Sequence, residues 1–301
     1  MRLAGAVDIG ATNTKIGVVG DDGRVFRRAI VSTRSGADDS NRLIDAITAE
    51  LKPMLDAVAD ERNQVAALGV AVAGFLDREH TMMVTNPNLV SLRNFPLRAA
   101  FEERFEMTCH LEVDSNASAV ADYRYGKGRG AARLLGITVG TGVGGGIIIG
   151  GKLLRFTGEC AGDVGHVIVE PNGRQCTCGA RGCLEAVICS AALAERAGAR
   201  NAAEVIVAAK KGERFAIDAF TETGRLLGLG LASLSPIVAP DTIVVAGGLA
   251  SVGEILIEPA RVAYNEQAAD DFRGKVTIAG STFDGWEGIV GAASLALSPL
   301  E

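Results

Sequence analysis

Nothing in this sequence is apolar for long enough to cross a membrane. Its longest uncharged apolar stretch, 226–240, carries Ser233, Ser235 and Pro236 and is shorter than the ~18 residues a spanning helix needs; a buried helix is expected there. The N-terminus reaches Asp8 before any apolar run long enough for a signal peptide, which points to the cytoplasm. Basic blocks are missing too. Net charge is -6 and no long run of like charge occurs, whereas binding a phosphate backbone needs a concentrated basic surface. Nucleic acid is therefore not expected as a partner. Histidines number 3 and cysteines 6; in a cytosolic chain of this length such cysteines favour metal ligands and free core thiols over a disulfide framework. What is present is ordinary for a soluble protein: 48% hydrophobic and 22% charged over 301 residues, enough for two domains with a core each.

Strands are expected over 3–9, 15–19 and 25–32, with Asp21-Asp22-Gly23 as the hairpin turn between the last two. Leu43, Ile47, Leu51 and Leu55 share one face of a helix expected over 39–58. An apolar strand over 65–73 ends at Gly74, a helix follows over 97–105 and a short buried strand over 109–113. Asp114 then opens an Ala-rich helix to about 125. The pattern restarts with strands over 134–139 and 147–149. Aligning Gly10 with Gly140 brings Val-Asp-Ile-Gly-Ala-Thr into register with Ile-Thr-Val-Gly-Thr-Gly, which reads as a duplication whose units each open a half of comparable size. Helices over 202–211 and 214–234, strands over 242–246 and 276–279, and a closing helix over 287–297 complete the chain. Strands interleaved with helices imply an α/β protein of two lobes with a cleft between them. The expected lobes are 1–117 with 287–301, and 118–286.

Three glycine-rich turns end apolar strands. Gly140, Gly142 and Gly145 satisfy G-x-G-x-x-G, but that dinucleotide fingerprint requires a following helix, and the apolar run from Ile147 reads as strand. No P-loop pattern occurs. A strand–glycine turn–strand can still bind phosphate, because glycines let backbone N–H groups converge. The run from Asp8 through Gly10, Thr12 and Asn13 to Lys15 is a second such turn, with the Asp8 carboxylate available to hydrated Mg²⁺. Gly247-Gly248, after a buried strand and before a helix, is a third. Glycines also simply make tight turns; three together favour a nucleotide cleft.

The densest chemistry lies in 163–185. Cys176, Cys178, Cys183 and His166 have the spacing of a tetrahedral, structural Zn²⁺ site, and the carboxylates Asp163 and Glu185 flank it. Four protein ligands would leave no position for water, so such a zinc holds a loop rather than attacking a substrate. Cys109, Cys160 and Cys189 lack ligand spacing and are expected as small core residues. Asp114 suits two roles at the start of its helix, an N-cap or a general base. Asn88, in Asn86-Pro87-Asn88, suits a turn.

The turns at Asp8–Lys15, at 138–146 and at Gly247-Gly248 resemble the phosphate-1, phosphate-2 and adenosine motifs of the sugar kinase–actin superfamily. Gly162-Asp163-Val164-Gly165-His166, followed by Cys176-Thr177-Cys178-Gly179-Ala180-Arg181-Gly182-Cys183-Leu184-Glu185, resembles the signature of the ROK family (repressors, open reading frames and sugar kinases). The resemblance runs from about Val7 to the last helix. It implies a two-lobed actin-like (ribonuclease H-like) ATPase fold, ATP as ligand at Asp8, Gly10, Thr12, Asn13, Lys15, Thr138, Gly140, Thr141, Gly142, Gly247 and Gly248, and a homodimer. The family's Asn-Asp-x-Asn-Ala, whose Asp is the general base, is matched by Val113-Asp114-Ser115-Asn116-Ala117. By the same resemblance Gly74, Asn88, Asp114, Asp163, His166 and Glu185 hold the sugar.

Two positions depart from the family pattern. Val113 replaces an Asn, and Asp163 replaces a Glu in Gly-Glu-x-Gly-His. A sugar hydroxyl left unmet against Val113 would cost about 1–3 kcal/mol, so glucose is expected to bind poorly. The expected activity is ATP- and Mg²⁺-dependent phosphorylation of a hexose or N-acylhexosamine at the 6-hydroxyl. The alternative is a sugar-binding member with lost or weak kinase activity. A repressor is less expected, because the first strand begins at about Leu3 and leaves no room for a preceding helix-turn-helix.

Overall fold

The computed structural model describes residues 1–36, 38–59, 64–86, 88–155 and 163–300. Its strands in chain order are β1 (Arg2–Ile9), β2 (Asn13–Gly20), β3 (Val25–Ser32), β4 (Gln64–Val72), β5 (Phe75–Leu76), β6 (Met83–Thr85), β7 (Cys109–Val113), β8 (Arg133–Val139), β9 (Val143–Ile149), β10 (Lys152–Leu153), β11 (Thr242–Ala246) and β12 (Thr277–Gly280). The helices are α1 (Ser40–Asp56), α2 (Leu97–Phe105), α3 (Asp114–Tyr125), α4 (Leu184–Ile188), α5 (Ser190–Arg196), α6 (Ala202–Lys210), α7 (Arg214–Val238), α8 (Glu254–Gln267) and α9 (Glu287–Leu297). The chain divides into two compact units. The first comprises 1–125, 151–161 and 286–301; the second comprises 126–150 and 162–285.

In the first unit the sheet order is β3-β2-β1-β4-β7. β1 runs antiparallel to β2 and parallel to β4, which is parallel to β7. Leu3, Ala4, Ala6, Val7 and Ile9 of β1 are fully buried on both faces, as a central strand in a covered sheet requires. α1 starts where the Asp39 carboxylate accepts hydrogen bonds from the N–H groups of Asn41 and Arg42, at 2.9 and 3.3 Å, satisfying donors that a helix start leaves open. Its Leu43, Ile44, Ile47, Leu51 and Leu55 are buried, each worth about 1.5–3 kcal/mol relative to exposure. α9 is buried along almost its whole length. A side chain at Gly291 would collide with the Ala117 carbonyl of α3, so only glycine permits that backbone approach.

The second unit repeats the plan: β9 antiparallel to β8, β8 parallel to β11, and β11 parallel to β12. The topological repeat matches the internal duplication read from Gly10 and Gly140. α7 packs along α8, and both share a buried core with the strands of this sheet; the Ser235 hydroxyl lies 2.9 Å from the fully buried Tyr264 hydroxyl.

Three features differ from the sequence expectation. β9 begins at Val143 rather than Ile147, so Gly144, Gly145 and Gly146 pair with Thr138, Ile137 and Gly136 and only 140–142 form the turn. α7 continues four residues past Leu234, through Pro236, and stops where Ala239 turns left-handed (φ 48°). α4 and α5, and the short strands β5, β6 and β10, were not anticipated; the helix expected after Gly247-Gly248 is α8, which accommodates Pro259 in its interior. No helix among the described residues is long and apolar enough to cross a membrane.

Candidate functional site

In the first unit, Asp8 of β1 pairs with Lys15 of β2 at the base of the first hairpin turn. The turn closes where the Gly10 N–H donates to the Asn13 carbonyl at 3.2 Å. Thr12 and Asn13 are exposed, and the Thr12 carbonyl accepts from the Thr33 N–H. Burial pushes the Asp8 carboxyl up to about 7; Lys15 works against this, and Asp114 and Glu287 add to it. α9 starts against this carboxylate, since a side chain at Gly288 would overlap Asp8. A cation-binding stack lies alongside: the Trp286 ring has Arg28 Cζ 4.7 Å and Lys15 Nζ 6.0 Å from its centroid.

Asp114 is the first residue of α3, immediately after β7, and its carboxylate accepts from the Ser115 N–H at 2.8 Å. Two residues earlier, Glu112 is fully buried. Its Oε1 accepts from the Val113 N–H and from the Asn116 side-chain amide, both at 3.0 Å. Its Oε2 accepts from Arg155 Nε at 2.9 Å. His80 Nδ1, which donates to the Leu111 carbonyl at 3.0 Å, approaches Glu112 Oε1 at 3.8 Å. This carboxylate thus fixes both ends of Val113-Asp114-Ser115-Asn116. Gly74 is in a left-handed conformation (φ 112°) and a side chain there would strike the Thr85 carbonyl, so glycine is required. Asn88 has an exposed side chain. The buried organiser of that turn is Asn86, which accepts from the Asn88 and Leu89 N–H groups and donates to the Ala73 carbonyl. Pro87 lies outside the described residues.

In the second unit, His166 ends a 3-10 turn over Val164–His166, and Cys176, Cys178 and Cys183 sit on a tight hairpin. That hairpin is closed by the Cys176 N–H to the Ala180 carbonyl and the Gly182 N–H to the Arg174 carbonyl, both at 2.8 Å. The four ligand atoms all lie within 4.8 Å of one another. Cys178 and Cys183 sulfurs are 3.7 Å apart, and Cys176 Sγ is 3.6 Å from His166 Nδ1. A tetrahedral zinc with Zn–S of about 2.3 Å implies S···S edges of about 3.8 Å, so the sequence-predicted ligand set fits the ion. His166 would bind through Nδ1, since its Nε2 faces Asp163 Oδ2 at 3.4 Å. Burial raises the Asp163 carboxyl, His166 opposes this and Glu185 reinforces it. Glu185, in the first turn of α4, accepts from the Val143 N–H at 2.9 Å.

The second glycine turn is held by the Gly140 N–H to the Gly142 carbonyl at 2.9 Å and by the Ser190 N–H to the Gly140 carbonyl at 2.8 Å. Thr138 belongs to β8 and Thr141 is exposed at the turn. Gly247 has φ 91° and would collide with Val139 if it carried a side chain, whereas Gly248 faces open space. Cys109 is a buried free thiol and Cys189 is half-buried; Cys160 lies outside the described residues. Sequence reasoning missed Glu112, Arg155, His80 and Asn86. Only Asn86 carried a local signal, an Asn followed by Pro.

A family model described as the ROK family matches residues 4–298. The chain belongs to the ROK family. Glucokinase of Streptomyces coelicolor is 32% identical over 99% of both chains, and N-acetylmannosamine kinase of Escherichia coli is 33% identical over 97% of both. Among solved structures, a ROK family glucokinase from Streptomyces griseus in complex with glucose and AMPPNP superposes with a TM-score of 0.87 at 31% identity, covering 98% of this chain and 99% of that one. The α/β architecture with mixed sheets is therefore that of the actin-like ATPase fold of ROK sugar kinases.

Proposed function

We propose that this protein phosphorylates a hexose or N-acylhexosamine with ATP and Mg²⁺, at the 6-hydroxyl. It is a sugar kinase. The observation that carries the reaction is Asp114 at the β7–α3 junction, aimed by its own hydrogen bond to Ser115 and framed by the buried Glu112 network. Asp114 takes the proton of the sugar hydroxyl as that oxygen bonds to the γ-phosphorus and the bond to the ADP oxygen breaks. Asp8 offers the hard oxygen donor that Mg²⁺ prefers, and the ion, when bound, offsets phosphate charge. Lys15 adds fixed positive charge beside it.

The turns at 10–13, 140–142 and 247–248 receive the nucleotide, while Gly74, Asn88, Asp163, His166 and Glu185 grip the sugar. Zinc at His166, Cys176, Cys178 and Cys183 holds the sugar loop in shape. A homodimer in the cytoplasm belongs to the same reading. Val113 favours a second one, a sugar-binding member with weak kinase activity, because an amide that would grip a ring hydroxyl is missing. Coupled ADP production across a panel of hexoses and N-acylhexosamines separates the two. The kinase reading expects sugar-dependent turnover abolished in Asp114→Ala; sugar binding without turnover would favour the second.

A further inference from the structure

The second unit joins its sugar loop to its glycine turn around Val143. The Val143 N–H donates to Glu185 Oε2 at 2.9 Å. On the other side of the same residue, Gly165, between Asp163 and His166, packs so closely that a side chain there would overlap the Val143 carbonyl. Next along β9, Val164 packs against Gly145, where an added side chain would overlap its methyl group. The carboxylate reaches Val143 only because Gly142 has no side chain; one there would meet Glu185 Oε2 at 2.6 Å. A further bond, from the Ser190 N–H at the start of α5 to the Gly140 carbonyl, ties the turn to the chain that follows Glu185. The contacts at Gly140, Gly142 and Val143 fix the backbone of 140–143.

We propose that Glu185 is a positioning residue for the nucleotide-phosphate turn as well as a sugar ligand. The sugar loop and the phosphate turn then share a carboxylate, and each substrate's occupancy is felt by the other. One Glu185 oxygen is engaged by the turn, leaving the other for a sugar hydroxyl. A sugar that pulls on Glu185 shifts Val143, and a nucleotide that orders 140–143 pre-orients Glu185. The inference rests on the sugar-kinase reading above.

The test measures Mg-ADP affinity by calorimetry with no sugar present, a condition in which a residue that only binds sugar is silent. Glu185→Ala should weaken Mg-ADP about tenfold, the scale of one charge-assisted hydrogen bond. Glu185→Gln, whose amide oxygen still accepts from Val143, should restore affinity to within about threefold. Gly165→Ala, which removes no sugar ligand, should weaken Mg-ADP as well. Zinc content and melting temperature verify that each variant keeps its loop. Should Glu185→Ala misfold, Gly165→Ala carries the decision. Wild-type binding of Mg-ADP with unchanged affinity in folded Glu185→Ala and Gly165→Ala overturns the coupling alone. Failure of the wild type to bind Mg-ADP overturns the kinase reading and the coupling together.

Discussion

The two units open with the same hairpin and arm it differently. In the first, the last pair of the β1–β2 ladder is Ile9↔Thr14; in the second, the last pair of β8–β9 is Val139↔Val143, so the second turn is one residue shorter. One step further from the turn, the first hairpin pairs Asp8 with Lys15, and the second pairs Thr138 with Gly144. The first turn therefore has charge built into its own strands, with Asp114 and Glu287 near enough to act on Asp8. The second has none there, and borrows a carboxylate from α4 to hold its backbone. One topology thus supports two tasks. On the proposed function, the first unit carries reacting charge and the second holds shape.

The sharpest way to break this contrast is to remove charge from the first unit. Asp114→Ala should lower kcat about 10²–10⁴-fold while leaving Mg-ADP affinity in place; steady-state kinetics with calorimetry checks both. An equal loss in both quantities would mean that Asp114 shapes the site rather than reacting in it. In the second unit, Cys178→Ser or chelation should release zinc and raise the sugar KM about tenfold or more, with metal analysis as the parallel measurement. A fall in kcat alone would reverse the division of labour. A smaller change tests Val113. Val113→Asn should improve kcat/KM for glucose about tenfold if a missing hydrogen bond is the cause, with competing sugars as the control.

The smallest effect concerns pH. The Asp8 carboxyl rises from 3.8 to about 7 on folding, so between those values the unfolded chain has lost a proton that the folded one keeps. The stability contributed by this group therefore falls as pH rises through that window and is level above it. Asp8→Asn should consequently melt higher relative to wild type at pH 8 than at pH 4, by roughly a few degrees, in Mg²⁺-free calorimetry.

Much of this site was legible because its signals are local. The spacing of Cys176, Cys178 and Cys183 and the small-residue turns carry their meaning within a few positions, and α1 declared its buried face through Leu43, Ile47, Leu51 and Leu55. Glu112 was hidden for a physical reason. In β7 it alternates with Leu111 and Val113, the pattern of a solvent-facing strand residue, yet Arg155 and His80 come from distant positions to cover it. The start of β9 was hidden because glycines carry no side chains to alternate, so pairing alone reveals Gly144, Gly145 and Gly146 as strand. α4 was hidden by its shortness.

The sequence contains 1 Trp, Trp286, whose ring lies near Arg28 and Lys15. The protein thereby carries its own optical probe on one unit alone. Tryptophan emission tracks the first unit, while a colorimetric zinc indicator would track the second if His166, Cys176, Cys178 and Cys183 hold the proposed ion. The order in which the two units yield to heat or denaturant can be read from a single unlabelled sample.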